Sequence, residues 1–416
     1  MDKHEKLPRI SRRGLLKTAG LSVGALVTQA LVSGWDIRDL LAMDGPLKVG
    51  LLLPASRLAP SLAEKVTAGM QFAFQSAGRP IVELVREEIG FGPASLRDKL
   101  RQVVERDRVD LVVAYVNSRV AAGVGQYVRD HRVPFVASNA GANLPAGPRN
   151  PFLVHNTLNY WESNLTMGHW SAGRLGARAF LVGSQYESGY DAFNAFGAGL
   201  EAAGGHLVGR RVMAPEADLG ALMTEIERAD PDFVYAVYSG PAATQFLSAF
   251  NRSPLAGRIP LAGSGFMVEE SLLAGQGDAA LGVYSCFPWS AALESEENAS
   301  FAAAYRELTG RPADPFALLG HDTARLVLEI AGAMRGLRLA EGMVGELVAG
   351  CRIASPRGEF HFDAASLRTI SPLFIRQVQG SRGAAGNVVI EKLAPSAAPE
   401  KPVRVQSGWL NPYLCA

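Results

Sequence analysis

The chain has 416 residues, 48% of them hydrophobic and 19% charged, so it is long enough for two domains and too apolar for a disordered protein. A net charge of +1 argues against a nucleic-acid partner or a basic membrane-binding surface. Cys286, Cys351 and Cys415 are widely separated and form no CxxC pair, which argues against a structural zinc site. We therefore expect no metal and no cofactor.

The N-terminal segment has the pattern of an export signal. Arg12 and Arg13 stand just before a weakly apolar run from Thr18 to Gly34, which is typical of the twin-arginine route. That run is about 17 residues, shorter than the roughly 20 strongly apolar residues of a membrane span. We predict that residues 1–42 are a signal peptide and linker, cleaved after Gly34 or Ala42, and that the mature protein is periplasmic.

The segment that follows alternates short apolar runs with amphipathic stretches. Apolar runs of four to eight residues indicate buried strands, and apolar residues at helical spacing indicate helices. The predicted strands are Lys48–Leu53, Ile81–Val85, Val109–Tyr115 and Pro134–Ala137. The predicted helices are Leu62–Ala77, Leu96–Glu105 and Arg119–Arg129. This alternation predicts βαβ units around a parallel sheet.

A second series of the same kind begins near residue 180. Its predicted strands are Phe180–Gly183, Leu207–Val212, Phe233–Val237, Pro260–Ala262 and Gly282–Ser285. Its predicted helices are Asp191–Ala203, Leu219–Arg228 and Ala242–Phe250. The fold class is therefore α/β, with two doubly wound parallel-sheet lobes.

The pattern changes after Trp289. Two helices follow without a strand between them, at Glu296–Leu308 and Pro315–Met334, and three short β segments come later, at Gly358–Asp363, Leu373–Gln377 and Val388–Leu393. We expect this late helical block to return to the first lobe, so that the chain crosses between the lobes more than once.

Several segments, in this order, resemble the type I periplasmic solute-binding proteins of branched-chain amino acid ABC transporters. The match covers roughly residues 46–393. The segments that carry it are the strand Lys48–Pro54, the turn Ser138–Asn143, the strand Asp232–Tyr235, Ala279–Val283, His321–Ala324 and Ser355–Asp363. The turn Ser-Asn-Ala-Gly-Ala-Asn is similar to the family's Ser-Pro-Gly-Ala-Thr-Asn ligand-binding turn, and His321–Ala324 stands where the family begins a helix.

The resemblance implies two lobes joined by three hinge crossovers, near 155–160, 288–295 and 355–365, with the ligand held between the lobes. It implies a first lobe of residues 46–157 plus 293–357, a second lobe of residues 158–292 plus 358–393, and a C-terminal tail of residues 394–416. Its implied partners are a small-molecule ligand and the permease of an ABC transporter, with no nucleic acid; we expect a monomer.

Candidate ligand-binding residues lie after the strands, because ligands of open α/β sheets bind beyond the carboxyl ends of the strands. In the first lobe these are Ser56, Arg57, Asn117, Ser118, Asn139, Ala140 and Gly141, and in the second lobe Tyr186, Ser188, Tyr238, Ser239, Phe266 and Met267. Ser118 also stands where it can cap the helix that follows it, and the two roles are compatible. Small polar residues at helix starts suit a carboxylate or another polar acceptor.

Two positions argue against a standard α-amino acid as the ligand. Family members that bind α-amino acids use the turn's threonine for the carboxylate and an acidic residue of the second lobe for the ammonium group. Those positions align with Ala142 and Gly265 here. We predict a neutral or carboxylated ligand with apolar surface, unless Glu269 or Glu270 replaces the missing acid, in which case a branched-chain amino acid remains the alternative.

No catalytic motif is present in the sequence after the predicted signal peptide. From residue 43 onward it contains no GxSxG, HExxH, Walker loop or GxGxxG after a strand, and the one GxSxG match, Gly20–Gly24, lies within the apolar run of the export signal. We therefore expect a protein without enzymatic activity that delivers its ligand to a transporter. A ligand-sensing subunit of the same fold is the alternative.

Overall fold

A computed structural model describes residues 46–55, 61–76, 82–90, 92–141, 149–185, 189–214, 216–333, 343–381 and 384–393. The expected signal peptide and C-terminal tail lie outside these ranges.

The first sheet is parallel, with the strand order β2-β1-β3-β4-β5. Its strands are β1 (Leu47–Pro54), β2 (Val82–Ile89), β3 (Leu111–Ala114), β4 (Phe135–Asn139) and β5 (Leu153–Thr157). The helices between them are α1 (Leu62–Ser76), α2 (Gly92–Arg101), α3 (Ser118–Gly123) and α4 (Gly125–Asp130). β3 and β4 are buried along their whole length, as expected of parallel strands covered on both faces.

The second sheet has seven strands in the order β15-β14-β10-β9-β8-β6-β7. It is parallel from β10 to β7, whereas β14 and β15 are antiparallel. The strands are β6 (Arg178–Ser184), β7 (His206–Met213), β8 (Phe233–Val237), β9 (Leu261–Ser264), β10 (Tyr284–Phe287), β14 (Leu373–Ser381) and β15 (Ala384–Leu393). The helices of this part are α5 (Tyr160–Arg174), α6 (Gly189–Ala202), α7 (Leu219–Ala229), α8 (Gly240–Asn251) and α9 (Glu270–Gln276).

The late elements belong with the first sheet. They are α10 (Glu296–Thr309), α11 (Pro315–Ala333), α12 (Met343–Ala349), and a small sheet of β11 (Arg352–Ile353), β12 (Phe360–Phe362) and β13 (Thr369–Ile370). α11 packs along α1, and α12 contacts β5 and β12. We call the first sheet with α1–α4, α10–α12 and the small sheet the first lobe, and the rest the second lobe.

The third crossover comes later than the resemblance implies. Arg368 forms a bridge with His155 of β5, and the hydroxyl of Thr369 accepts a hydrogen bond from the amide of Thr157 at 2.9 Å. Residues 358–370 therefore lie against the first sheet, and β14 of the second sheet begins at Leu373. These contacts favour a boundary at 371–372 in place of 357–358.

Each lobe contains a helix pair that is in contact backbone to backbone. In the first lobe a Cβ on Gly69 of α1 would stand 1.9 Å from the carbonyl oxygen of Ala317, and one on Gly320 of α11 would stand 2.0 Å from that of Val66. In the second lobe a Cβ on Gly199 of α6 would stand 1.9 Å from the carbonyl oxygen of Leu165 in α5. Only glycine allows so close an approach, so the helix pair in each lobe is held at a fixed spacing.

Several local predictions were wrong. The expected helix Arg119–Arg129 is two short helices, and β5, α5, α9 and α12 were not predicted. The segment His321–Ala324 does not start a helix but lies inside α11. Cys286 is buried at β10. Cys415 lies outside the described residues.

Candidate ligand-binding cleft

The turn after β4 is held by the chain that leaves the first lobe. The carbonyl oxygen of Asn139 accepts from the amide of Leu158 at 3.1 Å, and that of Ala140 accepts from the amide of Tyr160 at 2.8 Å. Gly141 has φ +99°, and a Cβ there would stand 3.2 Å from the amide nitrogen of Tyr160. The crossover at 158–159 therefore runs directly over this turn and places it at the edge between the lobes.

Asn139 organises the polar side of the cleft. Its Nδ2 donates to the carbonyl oxygen of Val116 at 2.9 Å. Its Oδ1 accepts from Ser118 Oγ at 3.0 Å and from the amide of Gly141 at 2.8 Å. Because these bonds fix the orientation of the Asn139 amide, the hydroxyl proton of Ser118 is committed to Asn139. In this arrangement the Ser118 hydroxyl can accept a hydrogen bond from a ligand but does not donate one to it.

The start of α3 is capped from within the protein. Asn117 Oδ1 accepts from the amides of Arg119 at 3.0 Å and Val120 at 2.9 Å, which makes Asn117 the N-cap residue of α3. The capping alternative considered for Ser118 therefore belongs to Asn117. The backbone amides of Arg119 and Val120, at a helix start that suits a ligand carboxylate, are therefore already hydrogen-bonded to Asn117.

Aromatic rings from both lobes and from the first crossover meet at Phe266. The ring of Phe266 stacks on that of Phe316, at the start of α11 in the first lobe, with centroids 5.5 Å apart and an interplanar angle of 13°. It also contacts the rings of Tyr160 and Phe287, each with centroids 5.1 Å apart. Phe266 and Phe316 are 8% and 5% exposed. We call Tyr160, Phe266, Phe287 and Phe316 the aromatic cluster.

Gly265 has no room for a side chain. A Cβ at this position would stand 2.1 Å from Cδ2 of Phe287. The carbonyl oxygen of Gly265 accepts from Nη2 of Arg376 at 3.1 Å, and the Arg376 guanidinium lies 5.1 Å from the centre of the Phe287 ring. The position that the resemblance assigns to an acidic residue is therefore occupied by a phenylalanine ring with a buried cation behind it.

The two neighbouring acids are engaged elsewhere. The Glu270 side chain is 6% exposed and its Oε1 lies 3.3 Å from Nη1 of Arg376, while Asn387 Nδ2 donates to the same oxygen at 3.1 Å. Burial raises the pKa of Glu270, and Arg376 opposes that shift. Glu269 accepts from the amide of Ser271 at 2.8 Å and from the Ser271 hydroxyl, as the cap of α9.

Two second-lobe candidates pack into the core instead of forming a ligand wall. Met267 is fully buried, with its sulfur against Gly263. The ring of Tyr238 stacks on Phe246 of α8 with centroids 4.6 Å apart. Ser239 precedes α8 and is 4% exposed. Of the candidates after β8 and β9, Phe266 therefore contacts the first lobe, whereas Met267 and Tyr238 belong to the core of the second lobe.

Four of the predicted ligand-binding residues lie outside the described residues, and two residues of the cleft were not predicted. Ser56, Arg57, Tyr186 and Ser188 lie outside the described residues. Tyr160 and Phe316 were missed, although Asp314-Pro315 before Phe316 is a recognisable helix start. No group of three or more potential metal ligands occurs among the described residues.

The sequence and fold were compared with known proteins. Residues 46–385 match the family described as periplasmic binding protein. The chain belongs to that family. Periplasmic binding proteins of this kind capture a small molecule and deliver it to an ABC transporter, and the family implies a periplasmic location. Within the described ranges, no helix is both long and apolar enough to cross a membrane.

Relatives of this periplasmic binding protein include one matched by sequence and two of known structure. It is 26% identical over 343 residues to Leu/Ile/Val-binding protein homolog 6 of Brucella melitensis, covering 80% of this chain and 87% of that protein. An ABC transporter substrate-binding protein from Sphaerobacter thermophilus is 27% identical with a TM-score of 0.77, covering 84% and 98% of the two chains. A solute-binding protein from Rhodopseudomonas palustris, in complex with benzoate, is 26% identical with a TM-score of 0.71, covering 86% and 98%.

Proposed function

We propose that this protein binds a small, largely aromatic molecule, neutral or carboxylated, that carries no α-ammonium group, and that it delivers this ligand to the permease of an ABC transporter. It acts as a monomer and catalyses no reaction of its own. The ligand lies in the cleft between the lobes, against Phe266 and the polar turn at Asn139.

The packing at Gly265 carries this proposal. An ammonium group in the cleft needs a carboxylate partner, because an unpaired buried charge is costly. Phe287 excludes an acidic side chain at Gly265, and Glu270 is paired with Arg376. The aromatic cluster instead makes this part of the cleft apolar and aromatic, which favours a flat apolar ligand. The benzoate bound by the Rhodopseudomonas palustris relative is a ligand of this class.

Calorimetry with benzoate, 4-hydroxybenzoate and 3,4-dihydroxybenzoate tests the ligand class. We expect a micromolar dissociation constant for at least one of them, which corresponds to about −8 kcal/mol. Phe266→Leu should weaken that binding about fivefold through loss of ring stacking. Phe250→Leu, a change to a similarly buried ring in the same lobe, should leave it unchanged. Absence of heat with all three acids would contradict the aromatic assignment.

Export by the twin-arginine route is part of the same proposal. The Arg12–Arg13 pair before a weakly apolar run supports it. Replacing both arginines by lysine should leave the full-length precursor inside the cell, because the route requires the arginine pair. Fractionation and immunoblotting measure the outcome. Normal processing and release of the double variant would show that another route is used.

A further inference from the structure

Four polar side chains from the two lobes meet beside the aromatic cluster. From the first lobe, Lys65 Nζ lies 2.6 Å from Asp314 Oδ2. From the second lobe, Ser271 Oγ lies 3.5 Å from the same Nζ and donates to Glu269. Asp314 also caps α11 by accepting from the amides of Phe316 and Ala317 at 2.9 Å. We call Lys65, Asp314, Glu269 and Ser271 the interlobe cluster.

The interlobe cluster has more negative than positive charge in a buried place. Glu269 and Asp314 are 6% and 1% exposed. The Lys65 ammonium group is ion-paired with Asp314 and acts on Glu269 only through its charge. Burial, followed by the negative charge of Asp314, raises the pKa of Glu269 to about 7, against which Ser271 and Lys65 act. Burial lowers the pKa of Lys65, but Asp314 and Glu269 raise it by more.

Other charged and titratable groups around the interlobe cluster do not supply a second counter-charge at Glu269. Arg311 acts on Lys65 and lowers its pKa. Burial raises the pKa of Tyr305, and the charges of Asp314, Glu64 and Glu269 raise it further. Arg376 interacts with Glu269 but is paired with Glu270 and bound to the carbonyl oxygen of Trp289 at 2.7 Å.

From this arrangement we infer that closure of the two lobes takes up one proton, which is bound by Glu269 when Asp314 is brought against it. The inference rests on the proposed function, since it requires lobes that open and close. When the lobes separate, Glu269 leaves both the buried environment and the charge of Asp314. The proton is then released, because a solvated carboxyl returns towards its ordinary pKa of 4.5.

The direction of the pH effect follows from this difference. The closed form holds the proton more tightly than the open form, so low pH favours closure. The stabilisation of the closed form by the proton on Glu269 is fully present below the ordinary pKa of 4.5 and is lost as the pH rises through about 7. Between those values the ratio of closed to open protein changes by up to about tenfold per pH unit.

Single-molecule energy transfer between the lobes tests the inference without a ligand. Dyes are attached through Arg129→Cys in the first lobe and Arg252→Cys in the second, both exposed positions, in a chain with Cys351→Ser and Cys415→Ser; Cys286 is buried. From pH 8 to pH 5.5 we expect the closed-to-open ratio to rise at least about tenfold. In Glu269→Gln the ratio should be independent of pH, and in Asp278→Asn, an exposed acid of the same lobe, it should follow the wild type.

The outcomes separate this inference from the proposed function. Two distance populations whose ratio does not change with pH, or changes equally in Glu269→Gln, would overturn the proton uptake and leave the proposed function standing. A single population under all conditions, including saturating 4-hydroxybenzoate, would contradict lobe movement and therefore both.

Asp314→Asn provides a second variant that keeps the helix cap. Asparagine accepts the same amide hydrogen bonds as aspartate at an N-cap, but it removes the charge that faces Glu269. We expect the midpoint of the pH dependence to move to lower pH by at least about one unit, because Lys65 then serves Glu269 alone. An unchanged midpoint would show that Asp314 does not act on the proton, and would overturn the inference.

Discussion

3-Phenylpropanoate should bind at least about a hundredfold more tightly than phenylalanine, from which it differs only by the α-ammonium group. Both compounds present the same ring and carboxylate to the cleft. The ammonium group of phenylalanine would be buried near Gly265, where Phe287 leaves no space for a counter-charge. A buried charge without its partner costs on the order of 3–5 kcal/mol, which is about two to four decades of affinity.

Calorimetry of the two compounds side by side measures this difference. Leucine and 4-methylpentanoate form a second matched pair, in which the ring is replaced by an aliphatic group. If phenylalanine binds within tenfold of 3-phenylpropanoate, an acid such as Glu269 serves the ammonium group, and the ligand class proposed above is wrong. The comparison does not depend on the exact natural ligand, because only the ratio within each pair is used.

Arg357→Met should lower the free energy of unfolding by about 3–5 kcal/mol, the cost of leaving a buried charge without its partner. Arg357 Nε lies 2.8 Å from Asp322 Oδ2, and both side chains are 0% exposed. Nη1 of Arg357 also donates to the carbonyl oxygen of Thr157 at 3.0 Å, and Ser355 Oγ donates to Asp322 at 2.6 Å. Removing the guanidinium leaves the Asp322 carboxylate buried with the Ser355 hydroxyl and with His321, whose Nδ1 lies 3.3 Å from Asp322 Oδ1, but without a permanent positive charge.

The chain offers a matched control for this variant. Arg352 and Glu359, in the same segment, form an ion pair at 2.6 Å whose side chains are 69% and 53% exposed. Arg352→Met should therefore change stability by less than about 1 kcal/mol. Denaturant unfolding of both variants gives the comparison. The double variant Asp322→Leu with Arg357→Met should recover part of the loss, since no charge remains buried. Equal effects of Arg352→Met and Arg357→Met would show that the buried pair has no special role.

The order of elements was largely predictable from the sequence, because buried parallel strands are continuous apolar runs separated by amphipathic stretches. α5 escaped prediction because its buried face includes Ser163, Asn164, Gly168 and Ser171, so its apolar periodicity is weak. The helix at Arg119–Arg129 is divided near Gly123 and Gly125, which a count of apolar positions does not register.

The candidate cleft was predictable only in part. Asn139, Ala140 and Gly141 stand at a strand end, which the sequence locates by itself, and the structure brings them beside Ser118. The stacking of Phe266 on Phe316 and the approach of Lys65 to Ser271 join positions far apart in the chain. Such contacts depend on how the two lobes are placed relative to each other, and a local sequence pattern contains no information about that placement.

The bonds between the first and third crossovers define how the lobes can turn. Asn159 Nδ2 donates to the carbonyl oxygen of Thr369 at 2.8 Å, and Ser371 Oγ donates to Asn159 Oδ1 at 2.8 Å. The first and third crossovers are therefore bonded to each other and form a single pivot. The second crossover is a separate pivot, anchored where Trp289 Nε1 donates to Asn298 Oδ1 at 2.8 Å. Two pivots define one axis, so we expect the proposed closure to be a rotation about that axis, because twisting across it would break these hydrogen bonds.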